Sequence, residues 1–382
     1  MWIHKNNTKK TANPIKIVCG LLFIIFSFSY LYGLQSNLLA NIQGVFSHWK
    51  TIYHPLVGAI GITLILLALQ IVLNLITKWK GSLYSMSFLP FCLILGIFTH
   101  FDRGIYSGNF NFGPWIWIGP LIFVIYLVLS LIFQFIPYNL ITKKLIPKLN
   151  VNLFILLLLF LGTILIGNTN EQFHAEMKME QLIREGKFKE ATIVDAKALK
   201  VSREMTVLRS YALARTDSLG QKLFEFPQYY RTQGLFFDDN TITTRLKNKN
   251  IFAALGGKPI GNDESTVHYL ESLCNNNKGS HMALDYFLCS LLLDRQLEYF
   301  VSALDTYYEV GGVLYKHYQE ALFMYQYMHS EYEIPFENIK MSSKFKKFLA
   351  LQNKYAYNST YQKNYTRREF GDTYWWYYTY GD

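Results

Sequence analysis

The chain divides into a first part made of long apolar runs and a second part in which apolar residues recur at helical spacing. Residues 1–167 contain five apolar runs that we predict to be membrane-spanning helices. The predicted spans are residues 17–34, 56–76, 84–99, 115–136 and 151–167. The last run has about 17 residues, near the lower limit for crossing a ~30 Å hydrocarbon core. We expect it to carry a folded domain on its far side.

From Gln172 onward, apolar residues spaced three and four apart predict amphipathic helices. The predicted helices are residues 172–185, 188–199, 203–215, 218–226, 264–274, 280–293, 296–310 and 314–329, with an irregular stretch at 227–263. Short connections between consecutive helices favour antiparallel neighbours. We therefore predict an all-α protein with a membrane domain (1–167), a helical-hairpin domain (168–340) and a tail (341–382) containing one basic helix at 343–351.

The sequence EGKFKEA at residues 185–191 resembles the turn of a tetratricopeptide repeat. In that family a Gly ends the first helix, an aromatic residue packs the corner, and a small Ala lets the second helix approach. Gly186, Phe188 and Ala191 match these positions, and Gly220 follows Gly186 by the 34 residues of this repeat. The match stops there, because no aromatic residue or Ala follows Gly220 at the right places. The resemblance implies a tetratricopeptide-like domain, although any helical hairpin can use Gly and Ala in this way.

Charge predicts the orientation of the spans. Residues 1–170 contain eleven basic residues and one acidic residue, Asp102, so the net charge of +10 lies entirely in this half (11 − 1 = 10). Nine of the basic residues flank the spans on one side, namely Lys5, Lys9, Lys10, Lys16, Lys78, Lys80, Lys143, Lys144 and Lys148. Lys50 and Arg103 lie on the other side. The positive-inside rule then places the N-terminus in the cytoplasm and residues 168–382 in the periplasm of a bacterium.

The same distribution limits the possible functions. An excess charge that flanks apolar spans sets topology, so no nucleic-acid partner is expected. The spans contain no Asp, Glu, Lys or Arg at membrane depth, which disfavours an ion-coupled transporter. Gln70 and Asn74 share one helix face, and they predict either hydrogen bonds between helices or a polar site. Asp102 and Arg103 form either a local ion pair or an exoplasmic loop site of an enzyme acting on envelope glycans or lipids.

In the second half, a stripe of tyrosines is the candidate partner-binding surface. Its members are Tyr299, Tyr307, Tyr308, Tyr315, Tyr318 and Tyr325. The stripe could line a groove for a peptide or glycan, or it could be core and amphipathic surface. His317 and Glu320 share a helix face, but one such pair does not define a site.

We expect no catalytic, cofactor-binding or metal-binding residues. The histidines lack metal-ligand spacing, and the run from Gly256 to Lys258 is followed by Pro259, where a phosphate-binding loop needs Ser or Thr. Cys274 and Cys289 could be bridged only across an awkward offset, and this question stays open. The aromatic tail, with Trp375 and Trp376 at its centre, is predicted either to pack on the helical domain or to lie at the membrane interface.

The chain resembles an uncharacterised family of multispanning inner-membrane proteins of the Bacteroidota. The similarity rests on residues 36–69, on residues 209–228 and on the terminal sequence GDTYWWYYTYG at 371–381. It implies an inner-membrane location and no known activity, and it provides no functional residues.

These patterns lead to one preferred function and one alternative. The preferred function is a membrane-anchored helical-repeat scaffold for cell-envelope biogenesis or secretion, with membrane lipid and a periplasmic or membrane protein as partners. The alternative is a membrane enzyme of envelope glycan or lipid metabolism that uses the repeat domain as its recognition arm.

Overall fold

The computed structural model describes residues 14–48, 50–107, 111–135, 144–238, 244–260, 264–275, 279–308 and 314–381. Within these ranges the chain forms eighteen α-helices and no β-strand, which confirms the predicted all-α class. The chain divides into two compact units, Met1–His174 and Ala175–Asp382. Lys5, Lys9, Lys10 and Lys143, together with the predicted helix ends at 136 and 310, lie outside the described ranges.

The first unit is built from six α-helices, with a π-helical turn at Tyr30–Leu34 and 3₁₀-helices at Gly81–Phe88 and Arg103–Ser107. The α-helices are α1 (Pro14–Ser29), α2 (Ser36–Phe46), α3 (Pro55–Thr77), α4 (Leu89–Phe98), α5 (Trp115–Gln134) and α6 (Leu145–Ile166). Five segments of the described chain are long and apolar enough to cross a bilayer, as predicted: Pro14–Leu34, Pro55–Thr77, Gly81–Phe98, Trp115–Gln134 and Leu145–Ile166. In four of these segments, less than a third of the most apolar stretch is buried.

The fifth span is longer than predicted, because α6 begins at Leu145, six residues before the expected start. Lys148 and Asn150, which precede the predicted start, lie within its first two turns. Pro147 is compatible with this start, since the N–H groups of the first helical turn have no intrahelical partner. At 22 residues, α6 is about 33 Å long and can cross the hydrocarbon core without thinning it.

The third span lies at the centre of the first unit, with 56% of its residues buried. It begins as a 3₁₀-helix and becomes α-helical at Leu89, with Pro90 in the first turn of α4, where a proline needs no N–H partner. Asn152 of α6 fixes the 3₁₀ part. Its Oδ1 accepts from the Ser85 N–H at 2.8 Å, and its Nδ2 donates to the Gly81 carbonyl at 2.9 Å.

We expect Asn152→Leu to destabilise the first unit by about 1–3 kcal/mol, because a buried N–H and a partly buried carbonyl would lose their partner. Thermal unfolding of the full chain in detergent can be followed by maleimide labelling of the buried thiols of Cys19 and Cys92, resolved by mass spectrometry. Asn150→Leu is the matched control, because Asn150 is exposed on the same helix. Equal midpoints for the two variants would contradict the role assigned to Asn152.

Twelve helices follow from Glu171 onward, with short 3₁₀-helices at Leu223–Glu225 and Arg231–Gly234. They are α7 (Glu171–Arg184), α8 (Phe188–Thr192), α9 (Arg203–Ala214), α10 (Leu219–Lys222), α11 (Asn248–Leu255), α12 (Thr266–Asn275), α13 (His281–Leu293), α14 (Leu297–Tyr307), α15 (Lys316–Met328), α16 (Ile339–Lys354), α17 (Ser359–Phe370) and α18 (Tyr374–Tyr380). The core of the second unit lies around α13, in which Ala283 and all residues from Asp285 to Leu293 are buried. Helices α9 to α12 and α14 pack against it.

Three helical hairpins of the second unit turn in the same way. Gly186, Asp217 and Arg295 each adopt a left-handed backbone conformation, with φ of +74°, +49° and +58°. Each donates its N–H to the carbonyl three residues back, and the following residue donates to the carbonyl five positions before itself. This is the Schellman arrangement, and the next helix begins two residues after each turn.

Several predicted helix bounds were wrong. Helix α8 ends at Thr192 instead of 199, where the β-branched residues Thr192, Ile193 and Val194 weaken the helix. Gly220 does not make a turn: it lies in α10, where a Cβ would come within 2.6 Å of the Tyr318 ring. The turn itself falls at Asp217. The tail also contains more helix than predicted, namely α17 and α18 in addition to α16.

Candidate functional site

The predicted tyrosines separate into three groups. Tyr299 and Tyr307 pack edge-on against Phe287, with ring centroids 6.0 Å away in both cases. Tyr308 and Tyr315 pack edge-on against Tyr318. Tyr318 is fully buried, so it supports the surface from below and cannot touch a partner.

Tyr325 forms the third group. Its ring lies 4.4 Å from the His329 ring and 5.0 Å from that of Tyr332. Tyr325 and Tyr299 line one surface depression of about 370 Å³, together with Met328 and Tyr378. The structure therefore brings two of the six predicted tyrosines together on one open surface, and the tail supplies a third ring there.

Beneath the second group lies a buried polar cluster. The Tyr318 hydroxyl donates to Asp285 Oδ1 at 2.9 Å, and Cys289 Sγ lies 3.7 Å from the same hydroxyl. Burial raises the pKa of Asp285 to about 6, although the hydrogen bond from Tyr318 opposes this shift. Asp285 is therefore a carboxyl group whose ionisation opposes folding.

The second unit contains an open cleft of about 600 Å³, which we name the aromatic–basic cleft. It lies between residues 196–199, residues 224–229, the end of α17, and α18. Its walls combine aromatic rings with cationic side chains. The aromatic residues are Phe224, Phe226, Tyr229, Trp376, Tyr377 and Tyr380, and the cationic ones are Lys197, Lys363, Arg367 and Arg368.

The start of α18, which forms one wall of the cleft, is fixed by a buried carboxylate. Glu320 Oε2 accepts from the Tyr374 N–H and from His317 Nδ1, both at 2.8 Å. His317 Nε2 accepts from the Phe224 N–H, so the ring proton is assigned to Nδ1. The Trp375 indole donates to the Glu320 carbonyl at 2.7 Å. The pair that shared a helix face in the sequence thus joins α15, the 224–229 segment and α18.

The other end of α18 is attached to the turn after α13. The Tyr377 hydroxyl donates to the Leu293 carbonyl at 2.6 Å. Arg295 donates to the carbonyls of Tyr377 and Gly381, and its guanidinium lies over the Tyr377 ring. The aromatic tail therefore packs on the helical domain, which is one of the two arrangements the sequence left open.

The acidic residues of the cleft have cationic partners. Asp372 and Glu225 both lie close to Lys316 Nζ, at 2.9 and 3.5 Å, and Asp372 also faces Lys344 at 3.6 Å. Burial alone would raise the pKa of Asp372, but its hydrogen bond and ion pair with Lys316 lower the pKa below its ordinary value. Both acidic side chains that line the cleft are therefore paired with lysines.

The remaining candidate residues have local roles. Asp102 Oδ1 accepts from the Gly104 N–H at 2.8 Å, which caps the turn that follows. Gln70 donates to Ser87 Oγ at 2.6 Å, a bond between two spans. Gly256, at φ +82°, ends α11 with a left-handed cap. Both Cys274 and Cys289 are free thiols.

Sequence reasoning missed the aromatic–basic cleft, although the terminal aromatic run drew attention to α18. Its walls come from three segments that are distant in sequence, and no periodic pattern connects them. Among the described residues, no group of three His, Cys, Asp or Glu side chains could hold a metal ion. The arrangement is suited to binding.

The described part of the chain is all-helical, with five apolar segments long enough to cross a membrane and an open cleft in the second unit. The chain belongs to a family of unknown function, DUF6057, whose sequence profile matches residues 106–258 and 255–381. This confirms the expected link to a family without an assigned activity. No curated protein and no solved structure matches the chain.

The raised pKa of Asp285 predicts a pH-dependent stability. In the folded state the Asp285 carboxyl keeps its proton up to about pH 6, whereas in the unfolded chain it loses the proton near pH 3.8. The protonated carboxyl therefore favours folding at low pH, and this stabilisation is lost as the pH rises. The difference in the free energy of unfolding, wild type minus Asp285→Asn, should fall by about 2 kcal/mol between pH 4 and pH 7.

Urea unfolding of the full chain in detergent, followed by circular dichroism across this pH range, measures the difference. Asp305→Asn, which removes an exposed carboxylate on α14, should show no such trend. A wild-type-minus-variant difference for Asp285 that stays constant with pH would refute the assignment.

Proposed function

We propose that this protein is a membrane-anchored helical-repeat scaffold whose second unit binds a protein or peptide partner in the periplasm. The observation that carries the proposal is the pair of open, aromatic-lined surfaces on the second unit, the 370 Å³ depression and the aromatic–basic cleft. Tyr, Trp and Arg are the residues most enriched where protein interfaces concentrate their binding energy. A role in cell-envelope biogenesis or secretion follows from the inner-membrane location that the resemblance implies.

The recurring hairpin turn supports a tetratricopeptide-like arrangement. Gly186, Asp217 and Arg295 make the same two hydrogen bonds and start the next helix at the same distance. Phe188 packs at its corner against Tyr211, and Ala191 is fully buried, as expected for these two positions of the repeat. Stacked helical hairpins commonly offer extended binding surfaces.

The alternative, an enzyme of envelope glycan or lipid metabolism, depends on Asp102 and Arg103. The Asp102 carboxylate is already engaged by a backbone N–H two residues away. This favours a structural role for Asp102, and therefore the scaffold.

Site-specific photocrosslinking in native membranes tests the scaffold. A photoreactive residue replacing Tyr299 or Tyr325 should give discrete protein adducts, because both rings line the 370 Å³ depression. The same replacement at Tyr357, whose side chain is 75% exposed away from both surfaces, is the control. A chain truncated after Gly167 should also fail to co-purify the crosslinked partner. Identical adducts at Tyr357, or equal recovery with the truncated chain, would count against the scaffold.

The proposed orientation has its own test. Positive residues on one side of the spans put the N-terminus in the cytoplasm and the second unit in the periplasm. Alkaline phosphatase fused after Gly381 should therefore be active, and the same reporter fused after Lys80 should be inactive. The opposite pattern would reverse the orientation and remove the periplasmic part of the proposal.

A further inference from the structure

We propose that the aromatic–basic cleft binds an acidic peptide segment, whose carboxylates are held by Arg367 and Arg368 while an apolar side chain enters between the rings. This inference rests on the proposed function in taking the partner to be a protein. It adds the site and the chemistry of the segment that is recognised.

The first argument is unbalanced charge. Among the described residues, Lys197, Arg367 and Arg368 line the cleft, and the acidic residues there, Glu225 and Asp372, lie beside Lys316 and Lys344. In the described part of the chain, Lys197, Arg367 and Arg368 form no ion pair. All three are exposed, so they can meet an anionic ligand without first breaking an ion pair.

The second argument is the geometry of the arginines. The Arg367 guanidinium lies 5.3 Å from the centre of the Trp376 ring, so its plane is supported by an aromatic side chain. A guanidinium held in this way keeps the N–H groups at its edge available for a carboxylate, and less side-chain entropy is lost when the pair forms. Arg367 is therefore partly preorganised for a carboxylate ligand.

A buried cation strengthens the field behind the wall of the cleft. Arg209 is 3% exposed, and its guanidinium lies 4.5 Å from the centre of the Phe226 ring. Burial lowers the pKa of Arg209 to about 10, which still leaves it charged at neutral pH. Its Nη2 donates to the Val194 carbonyl at 2.6 Å, so the charge is fixed in place. An anion in the cleft would lower the cost of burying this charge.

The ring faces favour a peptide over a sugar. Pyranose rings bind proteins by stacking on open aromatic faces, but Arg209 covers one face of Phe226 and Arg367 covers one face of Trp376. Tyr229 is held at the rim by a hydrogen bond to the Leu199 carbonyl. The cleft therefore offers ring edges and guanidinium groups, which suit carboxylates and a single apolar side chain.

The test uses the full chain in detergent and a fluorescein-labelled peptide of sequence EDFEDE, with binding measured by fluorescence anisotropy. The peptide should bind in a salt-dependent manner, and its amide counterpart QNFQNQ should not. Replacing both arginines (Arg367→Gln with Arg368→Gln) should weaken binding about tenfold. Lys197→Gln, on a different segment of the rim, should weaken it about two- to threefold.

The matched control removes the same charge elsewhere. Lys189→Gln with Lys222→Gln neutralises two exposed cations outside the cleft and should change the affinity less than twofold. A charge-reversed protein (Arg367→Glu with Arg368→Glu) should lose EDFEDE and bind the basic peptide KRFKRK. That gain would show that the protein is folded and that these two positions contact the ligand.

Three results would overturn the inference. They are no binding of EDFEDE to the wild type, binding that is unchanged by the arginine replacements, and arginine-dependent binding of a galacturonic acid trimer in place of the peptide. If adducts at Tyr299 and Tyr325 persist in any of these cases, the scaffold stands and only the cleft assignment fails. If those adducts are also missing, both proposals fail.

Discussion

The second unit is organised around α13, a helix that is buried on almost every side. Ten of the thirteen residues of α13 are buried, yet the helix is only about 20 Å long, too short to cross a bilayer. Protein must therefore surround it. Helices α9 to α12 and α14 provide most of this cover, and the tail reaches the end of α13 through the Tyr377 hydroxyl. Packing many segments around this one helix requires short helices joined by tight turns.

The same tail that completes this cover also forms one wall of the aromatic–basic cleft. Glu320 accepts hydrogen bonds from the first N–H of α18 and from His317 Nδ1, which fixes where α18 begins. Trp376 and Tyr377 then face residues 224–229 across the cleft. A peptide held between these walls would contact both the tail and the body of the unit. Binding should therefore stabilise the packing of the tail on the second unit, because a ligand that binds only the folded form favours that form by mass action.

The sequence predicted well the features that depend on local patterns. Apolar runs gave the five spans, and helical spacing gave the helix class, because both signals lie within one element. The start of α6 was misplaced because Asn150 and Asn152 resemble a helix boundary, whereas Asn152 is polar because it binds the neighbouring 3₁₀-helix. The cleft could not be predicted, since its three walls are brought together only by tertiary packing.

At the turn after α13 the preference for glycine does not hold, because Arg295 both adopts the left-handed conformation and binds the end of α18. Glycine adopts the left-handed conformation without strain, and the sequence signalled the hairpin at Gly186 for that reason. An arginine at the same position costs about 1 kcal/mol in backbone strain. Its guanidinium also holds the end of α18, by donating to the carbonyls of Tyr377 and Gly381. A glycine would relieve the strain but would remove the two hydrogen bonds to the end of α18. The arginine at this turn therefore serves the wall of the cleft as well as the hairpin.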